Sequence, residues 1–129
     1  MRLSAILFLI AAVLSLLGVA AHEFFGAPKV LAPLDDADLA PGVIWLHHFS
    51  WHVGTVAVLI MIAMFGVAAR RQDQLVLAVL ASMMASGFAL LGIGLALFGH
   101  AALWGTPAPY AWVPVAVFGW LGVLVARRY

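Results

Sequence analysis

The chain contains no cysteine. That excludes disulfides, thiolate metal sites and cysteine nucleophiles together. Charge is nearly as scarce, with only 9% of the 129 residues being Asp, Glu, Lys or Arg. A soluble domain carries about 25%, so this chain lacks the polar groups to cover its own surface, and lipid is its expected solvent. The net charge of +1 leaves no basic surface for nucleic acid. No Asp or Glu falls inside any long apolar run, which argues against proton-coupled transport, where a buried carboxylate carries the proton. There is no internal repeat and no low-complexity segment.

What the chain has instead is apolar sequence, 67% of its residues. It falls into four runs, at about 3–21, 43–69, 74–98 and 108–126. The first reaches about 28 Å as a helix, close to the ~30 Å hydrocarbon core of a bilayer. The expected fold is therefore all-α: one integral membrane domain, residues 1–129, built as a four-transmembrane-helix bundle. Arg2, an apolar run and Val19-Ala20-Ala21 also fit a cleaved secretory signal. The run is longer than a typical signal core, so an uncleaved helix is the expectation. Cleavage would leave His22 as a free amine able to bind a metal with its imidazole.

Between the first two runs, residues 22–42 read as an outer loop. It holds Pro28, Pro33 and Pro41, and the acids Glu23, Asp35, Asp36 and Asp38. Its apolar residues, Phe24, Phe25, Val30, Leu31 and Leu34, place it against the membrane interface. Thr106-Pro107 is a plausible opening for the last helix. Ser82, Ser86, Gly87, Gly92 and Gly94 in the third run suit close helix contact, within the bundle or in a homodimer. Lipid and such a homodimer or larger membrane complex are the expected partners.

Positive charge sets the orientation. Arg2, Arg70-Arg71 and Arg127-Arg128 flank one side, whereas Lys29 stands alone among four acids on the other. Basic flanks favour the cytoplasm, so both termini are expected there. The predicted location is a bacterial inner membrane, with residues 22–42 and the loop around His100 facing outward.

This topology brings all five histidines to the outer side. His22 closes the first run, His47, His48 and His52 open the second, and His100 closes the third. His48 and His52, four residues apart, share one helix face. His52 lies deepest, where an ionisable group is costly unless it has a partner. Imidazole is the commonest neutral metal ligand. The metal candidates are His22, His48, His52 and His100, with Glu23 as a further ligand or as the acceptor that fixes a tautomer. Copper, zinc and iron all suit such donors. The same histidines suit haem b, clamped from two sides in a bundle. The alternative is interfacial packing, since His and Trp each have a wet end and a greasy body; Trp45, Trp51, Trp104 and Trp112 fall on this side too. Met61, Met64, Met83 and Met84 read as core packing.

One resemblance follows from these motifs. His22-Glu23-Phe24-Phe25-Gly26, then Trp51-His52-Val53-Gly54-Thr55, then Gly99-His100, is similar to a family of small bacterial four-helix membrane proteins. That family has a His after helix 1, a Trp-His pair followed by Thr or Ser in helix 2, and a His after helix 3. The chain departs from it with Ala27-Pro28 in place of a charged pair, and with the extra His47-His48. The resemblance implies a four-helix membrane fold and marks His22, His52 and His100 as a set; it brings no activity with it. The leading functional expectation is a membrane protein binding a transition metal ion at an outer histidine cluster. A ligand-free assembly partner of a membrane complex and a haem-binding electron-transfer module are the alternatives. The outer loops are too short to build much of a substrate pocket, so a binding role is expected over an enzyme.

Overall fold

The computed structural model describes residues 2–128, and among them there is no strand. Five α-helices are present: α1 (Leu3–Ala21), α2 (Ala27–Asp35), α3 (Pro41–Arg70), α4 (Leu75–Gly94) and α5 (Trp112–Ala126). A π-turn, His22–Gly26, joins α1 to α2 without a break. The result is four rods. The Leu3–Asp35 rod, α3, and α4 with its π-helical end are long and apolar enough to cross a membrane.

Two boundaries differ from the sequence reading. Residues 22–42, expected as a loop, stay helical as far as Asp35. Pro28 cannot donate to a carbonyl one turn back and its ring crowds that carbonyl. The backbone answers by widening: the Ala27 N–H bonds to the His22 carbonyl, five residues back. Pro28 then sits in the first turn of α2, where a missing N–H costs nothing. The last helix, expected from 108, begins at Trp112. Pro107 and Pro109 hold 106–111 in turns, in which the Tyr110 and Ala111 N–H groups both reach the Pro107 carbonyl at 3.0 and 2.9 Å.

The core lies in the half of the bundle near the arginines. Phe8 of α1 stacks on Phe65 of α3 with ring centroids 6.3 Å apart. Both are buried, with Met61, Val115 and Val123 around them. Small residues let the rods approach. A Cβ on Gly122 would strike the Phe8 ring, and one on Gly119 would strike Ser82 and Phe65. Gly92 similarly makes room for the Ala108 carbonyl, so the 106–111 turns rest directly on α4. The buried hydroxyls of Ser15 and Ser82 bond back to the Ala11 and Ala78 carbonyls at 2.8 and 2.7 Å, which satisfies them inside an apolar interior. Ser86 accepts a bond from the Trp120 indole at 3.0 Å, tying α5 to α4.

These contacts place Arg2, Arg70 and Arg127 at one end and the π-turns at the other. At 1.5 Å per residue, α3 is about 45 Å long, α4 with its π-helical end about 37 Å and α5 only about 22 Å. α3 therefore overhangs α4 and α5 at the end away from the arginines. His22, His47, His48 and His52 all lie on the α1–α2 rod and α3.

Candidate functional site

Counting up from the arginine end, Glu23 stands about 30 Å along its rod and His52 about 27 Å along α3. They meet at nearly the same height. The π-turn that Pro28 imposes opens with His22 and Glu23, and it faces the side of α3 that carries His48, His52 and Thr55. The i, i+3 spacing of His52 and Thr55 puts both on that face.

Their focus is one oxygen. The Thr55 hydroxyl donates a short hydrogen bond to Glu23 Oε1. His52 Nδ1 lies 3.4 Å from the same atom, and His22 Nε2 lies 4.0 Å from it. Two rods thus bring two imidazoles and a hydroxyl to a single carboxylate. The Glu23 side chain is 27% exposed and that of His52 55%, so the cluster is reachable from outside the bundle.

Trp51 holds His22 in place. The two rings stack with centroids 3.8 Å apart and planes 10° from parallel. His22 Nε2 also lies 3.4 Å from the Trp51 carbonyl. The indole fits because residue 26 is glycine: a Cβ there would sit 3.0 and 3.2 Å from the Trp51 ring carbons. The Trp51 Nε1 atom is buried and has no hydrogen-bond partner among the described residues. Leaving a buried donor unmet costs about 1–3 kcal/mol, so the packing of this ring against His22 and Gly26 outweighs a real penalty. Expected as an interfacial residue, Trp51 also forms part of the wall of the site.

The other histidines go elsewhere. His48 donates from Nε2 to Asp35 Oδ1 at 2.7 Å, tying the end of α2 to α3 and leaving the Glu23 cluster. His47 turns back to the Val43 carbonyl of its own helix at 2.8 Å. His100 Nδ1 accepts from the Ala102 N–H at 3.1 Å and caps the short helical turn that follows it. So His22, Glu23 and His52 are brought together, while His48 and His100 serve local bonds. Among the described residues, no three His, Asp or Glu side chains are already spaced to hold a metal ion. Thr55 and Trp51 belong to the motif that carries the resemblance, but neither was expected as a site residue. The i, i+3 pairing of His52 with a hydroxyl was the available signal for Thr55.

Comparison with protein-family models, curated proteins and solved structures finds no match.

Proposed function

We propose that this chain is a small integral membrane protein that binds a transition metal ion at His22, Glu23 and His52, at the outer end of its bundle. The three long apolar rods support membrane insertion. The gathering of arginines at one end supports cytoplasmic termini, and so a periplasmic-facing site in a bacterial inner membrane. The observation that carries the metal reading is the convergence of two imidazoles, from two rods, on Glu23 Oε1.

Binding would need a small rearrangement, since the three side chains are not yet spaced for an ion. Metal–ligand bonds of 2.0–2.1 Å in a tetrahedral shell put neighbouring donors about 3.4 Å apart. His52 and Glu23 already stand at 3.4 Å, and His22 must close from 4.0 Å by about 0.6 Å. The ion would replace the proton that His22 shares with the Trp51 carbonyl. Thr55 would orient the carboxylate and the indole would orient His22, the usual work of groups behind the ligands. Three such protein ligands leave a fourth position open for water or a partner's donor. Nitrogen and oxygen donors suit zinc, copper and iron alike.

A second reading has its own observation. The Thr55 bond satisfies Glu23 without any ion, so the cluster also suits a purely structural knot in a membrane assembly. Cobalt(II) titration in detergent separates the two. Metal binding predicts visible d–d bands that saturate near one equivalent and are lost in His52→Ala and Glu23→Gln but kept in His47→Ala. The structural reading predicts no bands in any form. The same spectra report haem b, the other candidate, by its Soret absorption.

A further inference from the structure

The Glu23 cluster opens sideways from the bundle. His52 stands in a stripe of α3 made of Trp45, Phe49, His52, Val56, Leu59 and Ala63, which recur every three or four residues along one helix face. Every member of the stripe is exposed. Phe24 and Phe25, which follow Glu23 on the neighbouring rod, are exposed as well. In a bilayer such an apolar face meets lipid. With the arginines at the inner edge of a hydrocarbon core of about 30 Å, Glu23 and His52, about 30 and 27 Å up their rods, stand at its outer edge. Acyl chains end there and headgroups begin.

The contacts inside the cluster use Glu23 Oε1 and His52 Nδ1. With its Nδ1–H turned to the carboxylate, a neutral His52 offers Nε2 as an acceptor, and Glu23 keeps Oε2. Two acceptors and one negative charge fit a cation that donates hydrogen bonds. We infer that this site holds the primary ammonium of a phosphatidylethanolamine-type headgroup, with the lipid's acyl chains lying along Val56, Leu59 and Ala63. A primary ammonium carries three N–H donors, whereas the quaternary ammonium of a choline headgroup carries none, so the site separates the two. Its carboxylate repels headgroups that are only anionic. The inference goes beyond the metal reading and does not rest on it: an ammonium and a metal ion compete for Glu23, so lipid binding is measured with a chelator present.

Full-length protein in mild detergent with chelator is mixed with phosphatidylethanolamine, phosphatidylcholine or phosphatidylglycerol of identical acyl chains, and native mass spectrometry counts the lipid retained. Phosphatidylethanolamine is expected to be retained about fivefold more than either of the others, the yield of one partly exposed charged contact. The preference is expected to vanish in Glu23→Gln and to persist in His47→Ala, on the same helix but outside the cluster. Equal retention of the three lipids by the native chain overturns the inference, and that comparison needs no variant to fold. A preference that survives in folded Glu23→Gln overturns it too. Soluble glycerophosphoethanolamine has the same amine without chains and is expected to displace none of the lipid at equal concentration; displacement would assign the site to a free amine and overturn the lipid. Metal content, measured without chelator, decides the metal reading separately.

Discussion

Removing the Thr55 hydroxyl tests the site at its most ordered point. Thr55 donates to Glu23 across 32 residues of sequence, tying α3 to the π-turn. A hydrogen bond to a charged group contributes about 1.5–3 kcal/mol when shielded. Glu23 is 27% exposed, so water competes and the expected contribution falls to about 1 kcal/mol. Thr55→Val keeps the side chain's shape and deletes the donor. It should lower the unfolding free energy in detergent by about 1 kcal/mol, whereas Thr55→Ser, which keeps the hydroxyl, should lose less than half of that. Combining Thr55→Val with Glu23→Met, which removes the acceptor oxygens, should cost about 1 kcal/mol less than the sum of the single changes, because both delete the same bond. Reversible unfolding by denaturing detergent, followed by circular dichroism, gives all four values. If Val and Ser behave alike, or if the two changes simply add, the bond contributes nothing and the site is looser than described.

Other regions make independent predictions. Gly122→Ala drives a Cβ into the Phe8 ring and should cost about 1–3 kcal/mol by overpacking; Phe8→Leu in the same chain should recover much of it in the same unfolding assay. Gly26→Ala should push on the Trp51 ring and separate it from His22, seen as a shifted Trp51 emission in a variant whose other tryptophans are phenylalanine. In the turn between α3 and α4, the Gln74 side-chain amide holds the Asp73 carboxyl below its usual range, with the Arg71 charge a smaller contribution. Any stability linked to Asp73 is therefore present above its unfolded pKa and lost as pH falls through the lower folded value. Gln74→Leu should raise the Asp73 pKa toward its ordinary value, readable by carbon NMR of the carboxyl.

The sequence made the four rods legible because apolar length is a strong local signal, and the arginine pairs at 70–71 and 127–128 marked where rods end. It also made the meeting of His22 and His52 legible, since antiparallel rods of known rise must bring those two to one height. It failed where proline had two readings. Pro28 read as a breaker within a loop and proved to lie in the first turn of a helix, reached through a π-turn that no periodicity announces. That continuation lifts Asp35 alongside His48, and a 2.7 Å bond then removes His48 from the cluster it was expected to join. His100 lies at the end of the α4 rod away from the arginines, yet its bond to Ala102 is a matter of local backbone turn, which side-chain type does not reveal. The small residues of the third run divide in two. Ser82 and Gly92 are used up inside the bundle, whereas Gly87 and Gly94 face nothing within 4 Å.

The most direct test is the metal content of untagged protein, purified from membranes in mild detergent without chelators and measured by elemental analysis. The account predicts close to one equivalent of zinc, copper or iron, falling to background in His52→Ala while the variant keeps its helical circular dichroism. Metal-free protein that is nonetheless folded, or metal that survives His52→Ala unchanged, would contradict it.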